Sequence, residues 1–433
     1  MIKTVADTVD FIESRKKFGS KPGLERINHL LDQLHHPEKN LTFIHIAGTN
    51  GKGSTVSFLA NMLEKSGLTV GTFTSPYIEN FNERISLDGK PISDEALTKV
   101  IQVLEPFVKE SDELNCSLTE FELVTAAAFL YFKEKKPDVV ILEVGLGGLL
   151  DSTNVVFPIL TAITTIGLDH TAVLGDTIEE IAAQKAGIIK NNVPLVTGNI
   201  TPAAKAVIDH IAAEKKASVA HFGQSFEINY KGPDPKWGEQ FDFTNENGKI
   251  NQLYVPLLGR HQVENAALAI ELFYLSCQKL GLPFSDKPVR QGLAAVTWPA
   301  RMEKVSQEPL IVLDGAHNPH AMGRLVENIK NEFQVNKVYV LFSALERKDI
   351  TTMIKQLLTI SHAEIYLTSF DFPEALQLEK NYQEIDTQRI RIASLWQFGF
   401  ASILEQAQPD DLILITGSLY FISEVRGLIK DLI

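Results

Sequence analysis

The sequence predicts an α/β protein, in which a parallel sheet with helices on both faces is followed by a second, smaller α/β series. Three observations point there. Short apolar runs alternate with amphipathic helical patterns through the first half of the chain, the pattern of a sheet covered on both sides. The alternation restarts near the C-terminus with four further apolar runs. Glycine-bearing turns close several of these runs at their C-terminal ends, where open parallel sheets hold ligands.

Taken in order, "LTFIHIA" reads as a buried strand, and Lys52 to Gly67 as an amphipathic helix stopped by glycine. "TVGTFTS" is the next strand, and residues 93–110 and 119–136 have helical spacing. The strands "DVVILEV" and "LTAITTI" follow, then a helix from about Asp176 to Ile189 and the strand "VPLVTG". Residues 219–258 alternate polar and apolar and contain the turns "KGPDPKWG" and "NENGK", which predicts a small antiparallel excursion. The helix "HQVENAALAIELFYLSCQKLG" brings the chain back. After "TWPARME" come "PLIVLDG", "VYVLFSA", "HAEIYLTS" and "DLILITG", each followed by a helical pattern. The restart places a boundary near Val296 to Arg301, and the reading is two domains, 1–297 and 298–433.

Bulk properties narrow the function. A chain of 433 residues is too long for one core. At 44% hydrophobic and 22% charged residues it has the balance of a soluble enzyme. No apolar run reaches the roughly 18 to 20 residues of a membrane span, and the acid-bearing N-terminus lacks an apolar signal core. Cys116 and Cys277 stand far apart without metal-ligand spacing. A cytoplasmic protein without a membrane partner is expected. The formal net charge of -13 argues against a nucleic-acid surface and would repel an anionic substrate, so attraction must come from local cations or metal.

Local cations do stand beside glycines. "HIAGTNGKGS" (45–54) departs from the Walker spacing G-x-x-x-x-G-K-[ST]: Ile46 occupies the first glycine position, and Gly53 separates Lys52 from Ser54. Its context of strand, glycine turn, lysine and helix still makes a phosphate cradle, because backbone N–H groups and the helix start both face an anion. Lys52 adds a point charge for a terminal phosphate. In "TSPYIENFNERI" (74–85), Ser75 presents a hydroxyl at a strand end. Glu143 lies in the otherwise apolar strand of "LEVGLGGLLDSTNV", where an unpaired carboxylate is costly, so a divalent metal or a cationic side chain is its expected partner. "GLDHTAVLGDTIEEIAAQKAGIIK" offers His170 at a strand end and Lys185 among Ala182, Ala183, Ala186 and Gly187. A lysine kept from water there has a lowered pKa, against the alternative of a lysine reaching solvent. In the second series Asp314 ends a strand, and His317 and Asn318 sit in the following turn.

These stretches, with "WPARME", "LDGAHNP" and "TGSLYFI" in the same order, closely resemble the folylpolyglutamate synthase and dihydrofolate synthase family, within the Mur-ligase-like ATP-dependent amide ligases. The resemblance covers essentially the whole chain. It implies a P-loop NTPase-like N-terminal domain, a smaller Rossmann-like C-terminal domain and an ATP site between them. It implies that ATP phosphorylates a folate carboxylate and that the amine of L-glutamate attacks the resulting acyl phosphate. Carried over by motif, Gly48, Thr49, Asn50, Gly51, Lys52, Gly53 and Ser54 resemble the triphosphate cradle. Ser75, Glu143 and His170 resemble ligands of Mg2+, with two ions expected. Lys185 matches a family lysine that becomes carbamylated. Asn265, Arg301 and Asp314 resemble nucleotide contacts, His317, Ser418 and Tyr420 the incoming-glutamate site, and Arg84 a holder of anionic substrate. A monomer is expected.

One position departs. Bifunctional members often read "GLGGRLD", whereas Leu149 stands here in place of the arginine, which weakens the case for dihydropteroate as a second acceptor. Two rivals remain on the sequence. A cell-wall Mur ligase usually carries a nucleotide-sugar domain before the loop, and only 47 residues precede Gly48. A P-loop binding module without ligase activity would have no need of glutamate.

Overall fold

The computed structural model describes residues 2–15, 23–378 and 387–432. The chain divides into two compact units. The first comprises residues 1–230, 241–254 and 263–296, and the second residues 231–240, 255–262 and 297–433.

The first unit is built on β1 (Phe43–Ala47), β2 (Val70–Phe73), β3 (Ile85–Leu87), β4 (Lys90–Pro91), β5 (Val139–Glu143), β6 (Leu160–Ile163), β7 (Leu195–Thr197) and β8 (Val219–His221). They form one sheet in the order β4-β3-β2-β5-β1-β6-β7-β8. The strands from β2 to β8 run parallel, while β3 and β4 add an antiparallel edge. β1 and β5 are buried along their whole length, as central strands with helices on both faces must be. One apolar core gathers Phe73, Leu123, Phe129, Phe132 and Leu142 on one face. A second gathers Ala47, Ile163, Ile181, Ala186 and Leu195 on the other. The helix Asp286–Ala294 lies so close to the helix Lys52–Lys65 that a Cβ on Gly292 would stand 2.7 Å from the Met62 backbone.

Several details differ from the sequence reading. "NFNER" forms a one-turn 3-10 helix, Phe81–Arg84, because Asn80 and Glu83 cap it reciprocally. Two N-terminal helices, Val5–Glu13 and Glu25–Gln33, precede β1. The helix expected from Asp176 runs only from Ile178 to Ala186, behind a single turn Thr171–Leu174. β8 joins the main sheet, so the small excursion starts later, with β9 (Phe226–Pro233), β10 (Glu239–Asn245) and β11 (Gly248–Val255) in the order β11-β10-β9. Connections of a few residues between neighbours allow only antiparallel pairing there.

The second unit carries β12 (Glu303–Gln307), β13 (Leu310–Asp314), β14 (Val338–Phe342), β15 (Ala363–Thr368), β16 (Ile390–Ala393) and β17 (Leu412–Thr416) in the order β12-β13-β17-β14-β15-β16. All pairs are parallel except β12 with β13. Val312, Phe342, Ile354, Ile365 and Leu414 belong to its core. No helix among the described residues is long and apolar enough to cross a membrane.

A pair of carboxyl groups gives this unit a pH dependence. Fully buried Glu239 accepts the Gly259 amide at 2.5 Å, and the Glu332 side chain hydrogen-bonds Glu239. Burial, then the charge of Glu239, pushes the Glu332 carboxyl up to about 8. A folded pKa raised above the unfolded value favours folding while the proton is held. The contribution is complete below the ordinary carboxylate range and gone once pH passes about 8. Melting scans from pH 5 to 9 are expected to show a decline that Glu332→Gln flattens, because the amide keeps a donor toward Glu239 and does not titrate. Parallel curves for the two proteins would refute the pairing.

Candidate active site

β1 ends at Ala47 and the helix Lys52–Lys65 begins directly on Lys52, so the turn Gly48–Gly51 faces the unpaired N–H groups of that helix. Gly51, with φ 85°, is its N-cap, and a Cβ there would strike the Asn265 amide. A Cβ on Gly48 would fall on Thr164 Oγ1. Both positions therefore demand glycine.

The turn is held from outside. Thr49 N donates to Thr165 O (2.8 Å) and Asn50 N to Thr165 Oγ1 (3.1 Å). Thr164 Oγ1 donates to Asn50 O (2.6 Å), and the Thr49 hydroxyl exchanges hydrogen bonds with Gly167 N and O (3.0 and 3.1 Å). Ser54 is buried in the first turn of the helix.

Two amines converge on one carbonyl of this turn. Lys52 Nζ donates to Gly48 O (3.1 Å) and Thr49 O (3.3 Å), and Lys185 Nζ donates to Gly48 O at 2.9 Å. Lys52 Nζ is also 3.9 Å from Glu143 Oε1. Glu143, the last residue of β5, pairs in register with Ile46, which places its carboxylate beside the loop. Its Oε2 accepts the Ser75 amide at 3.1 Å.

Lys185 is 4% exposed. Burial, then the charge of Lys52, pulls its amine down to about 7, against the opposing pull of Asp169 and Asp151. Two glycines beside it have a packing reason: a Cβ on Gly187 would strike Leu149, and one on Gly148 would stand 2.8 Å from Lys185 O.

His170 takes φ 51° at the start of the turn Thr171–Leu174, and its amide donates to Asp169 Oδ1 at 2.9 Å. Arg84 is buried, ion-paired with Glu120 at 2.9 Å, and lies 5.4 and 5.0 Å from the ring centres of Tyr77 and Phe81. Its charge is thus balanced within the protein. Among the described residues no group of three or more His, Cys, Asp and Glu side chains is arranged to hold a metal by itself. Mg2+ takes one or two carboxylates and completes its shell with water and phosphate. The Glu143 and Ser75 oxygens fit such an ion; the His170 nitrogen is a less usual donor for so hard a cation.

In the second unit, Asp314 ends β13 with Oδ2 accepting Met302 N (3.0 Å) and Oδ1 accepting Ala316 N (2.9 Å). Burial raises its carboxyl, while Arg301 and the two amides oppose the rise. A Cβ on Gly315 would stand 2.5 Å from the Arg301 guanidinium. His317 Nδ1 donates to Gly315 O (2.8 Å), so this nitrogen carries a hydrogen. Ser418 is buried just before the helix Leu419–Leu432, and Leu419 packs on Gly315. The Tyr420 ring stacks on Phe372 at 4.5 Å. Arg301, Asp314 and His317 thus surround one glycine, with Ser418 and Tyr420 flanking the residue that covers it.

The residues that clamp the loop, Thr164, Thr165 and Gly167, escaped the sequence reading, as did His45, Asp151 and Thr153. The available signal was polar residues at the ends of apolar strands, "TT" after "LTAI" and "DST" after the glycines.

Comparison with known proteins bears on the whole chain. Residues 46–273 match the Mur ligase middle domain, and residues 300–419 the Mur ligase, glutamate ligase domain. The dihydrofolate synthase/folylpolyglutamate synthase of Bacillus subtilis (strain 168) is 45% identical over 99% of this chain and 100% of its own. Mycobacterium tuberculosis folylpolyglutamate synthase complexed with ADP and AMPPCP superposes with TM-score 0.91 at 30% identity, over 98% of each chain. An FPGS–AMPPCP–folate complex superposes with TM-score 0.88 at 36% identity, over 100% of each. The chain belongs to the folylpolyglutamate synthase and dihydrofolate synthase family of Mur ligases. The helix starts on Lys52 itself, and the clamp from Thr164 to Gly167 holds the glycines open.

Proposed function

We propose that this ligase uses ATP to join L-glutamate to the terminal glutamyl carboxylate of tetrahydrofolates. The observation that carries the reading is the meeting of Lys52, Lys185 and Glu143 at the mouth of the β1 turn. In this reading the folate carboxylate attacks the γ-phosphorus, the bond to the bridging oxygen of ADP breaks, and an acyl phosphate forms. The glutamate amine then attacks the acyl carbon, loses a proton, and phosphate leaves from the tetrahedral intermediate. The chain contributes position and charge. The turn Gly48–Ser54 cradles the triphosphate through the helix-start N–H groups of Gly51, Lys52, Gly53 and Ser54, since those of Thr49 and Asn50 bind Thr165, and Lys52 balances charge on the phosphoryl group in transfer. Glu143 and Ser75, with His170, would hold Mg2+, which supplies charge neutralisation between the phosphates. Asn265, Arg301 and Asp314 are assigned to the nucleotide. His317, Ser418 and Tyr420 are assigned to the incoming glutamate.

Two finer assignments belong to the same reading. Lys185, with an amine poised to be neutral near pH 7, reacts with carbon dioxide to form a carbamate. Arg84 serves as an anchor for the region that meets the anionic acceptor, since its own charge is engaged by Glu120. The reading takes a cytoplasmic monomer as the active unit.

Phosphate release with and without tetrahydrofolate and glutamate tests the proposal. Dependence on both is expected. Turnover with ATP alone would indicate a P-loop switch, and turnover only with a cell-wall nucleotide-sugar acceptor would indicate the other Mur ligases.

The same assay addresses acceptor range. Leu149 is exposed, on the turn whose amide donates to Gln184 O at 2.8 Å. Without a cation there, dihydropteroate lacks a charge-assisted contact, a loss on the order of 1.5 to 3 kcal/mol, or roughly 10- to 150-fold in kcat/KM. Tetrahydrofolate is expected to be the better acceptor by about that factor, and Leu149→Arg to narrow the gap. Equal efficiencies in the unaltered enzyme would overturn this assignment.

A further inference from the structure

We propose that His45 and Thr153 are positioning residues for Lys185 and Glu143, acting through a circuit of hydrogen bonds that begins and ends on the strand and turn carrying the phosphate loop.

The circuit starts two residues before the end of β1. His45 Nε2 meets Thr153 Oγ1 at 2.8 Å, and Thr153 Oγ1 donates to Asp151 Oδ1 at 2.5 Å. Asp151 also accepts Leu146 N (2.8 Å) and Thr153 N (3.0 Å), and a hydrogen bond from the Gly145 backbone. Four donors thus converge on one buried carboxylate and fold the turn that follows Glu143. From that turn, Leu149 N donates to Gln184 O (2.8 Å), and the Asn154 amide ties Leu149 O to Gly187 O (3.0 and 3.1 Å). The next side chain, Lys185, returns to Gly48 O at 2.9 Å. Gly48 directly follows β1, so the path closes.

Burial raises the Asp151 carboxyl, and the four donors that converge on it oppose that rise. The carboxylate they favour can only accept, so Thr153 donates to it and accepts from His45. His45 therefore carries its hydrogen on Nε2, while its buried Nδ1 has no hydrogen-bond partner. Burial, then the charge of Lys190, pulls this imidazole down to about 3, so it remains a neutral donor. His45 and Thr153 are fully buried, and no substrate touches them. Whatever they contribute reaches the reaction through the turn after Glu143 and through the seat of the Lys185 amine. The cradle glycines are held separately by Thr164, Thr165 and Gly167. Breaking the circuit should therefore slow the reacting step and spare nucleotide binding.

This inference rests on the roles of Glu143 and Lys185 proposed above, and the test keeps the two apart. Thr153→Val removes the hydroxyl at constant shape, and Thr153→Ser restores it. His45→Leu and His45→Gln form the same pair, since the glutamine nitrogen reaches the Nε2 position. Expected is a fall in kcat of about 10- to 100-fold for Thr153→Val and His45→Leu, the range for groups that orient metal and catalytic side chains. KM for ATP should stay within about twofold. Thr153→Ser and His45→Gln should recover most of the rate, and the double variant T153V/H45L should be little worse than either single one. A loss carried wholly by KM, an unchanged kcat in Thr153→Val, or an equal loss in Thr153→Ser would overturn the proposal. Amide hydrogen exchange supplies a readout that needs no substrate. Thr153→Val should speed exchange at Gly145–Leu149 and at Gln184–Gly187, and Thr153→Ser should not. Unchanged protection in both segments overturns the circuit even where activity falls. If the unaltered enzyme fails to ligate glutamate, the function proposal fails, and the exchange result still judges the circuit.

Discussion

Lys52→Ala is expected to remove glutamate ligation while the protein remains folded. Lys52 opens the helix after the glycine turn, and its amine reaches only the Gly48 and Thr49 carbonyls and the fringe of Glu143. Those bonds are partly solvated, so their loss costs the fold little. A triphosphate in the cradle is a different matter, because charge on the transferring phosphoryl group would then lack its fixed counter-charge. Removing one such preorganised group costs about 3 to 4 kcal/mol, or roughly 100- to 1,000-fold in kcat. Ligation rate, ATP affinity and the melting curve, measured on one preparation, decide the matter. A folded variant that ligates at a near-normal rate would show that the amine serves the turn and not the nucleotide.

Lys185→Ala is the second large effect, expected to lower kcat by at least about 100-fold, since in the proposed mechanism it removes both the carbamate and a charged group beside the reacting phosphates. The amine must be neutral to attack carbon dioxide, and its pKa of about 7 sets the pH dependence. At pH 8 roughly nine-tenths of the amine is neutral, and at pH 6 roughly one-tenth, by the ordinary titration curve. Carbamate occupancy at low bicarbonate should therefore fall steeply as pH drops through 7, and added bicarbonate should restore it. A 13C carbamate resonance after labelling with 13C-bicarbonate would report it directly. Its absence in the unaltered enzyme, with magnesium and nucleotide present, would sink the carbamate. A Lys185→Ala variant of normal rate would sink the catalytic assignment as well.

The legible and illegible parts of the site divide by the range of the interactions involved. "GTNGKGS" was readable because every requirement of a phosphate turn is local: glycines for the backbone path, a lysine at the helix start, a buried strand before it. Glu143 was readable because a carboxylate in an apolar strand demands a partner wherever the strand lies. Lys185 stood out for its small neighbours, although one of them, Gly187, serves the close approach of Leu149. The same pattern therefore had two causes, and only one concerned the amine. Arg84 illustrates the opposite case. In sequence it is a cation in a loop; in the structure it is buried against Glu120 and two rings.

By itself, the sequence determined the fold class, most strands and most helices, because periodicity and turn residues act over a few neighbouring positions; the short strands β3, β4, β12 and β16 were not read from it. It also determined the family, because several long motifs in one order leave little room for another. Strand order and the partner of each polar strand-end residue lay beyond it. β5 is far from β1 in the chain yet lies beside it, and so Glu143 comes within 3.9 Å of Lys52. Thr164 and Thr165 read as ordinary strand residues until β6 is placed next to β1, where they become the clamp on the loop. His45 read only as part of a strand until Thr153 came within 2.8 Å. Such contacts join residues far apart in the chain, and only the register of neighbouring strands decides which side chains meet.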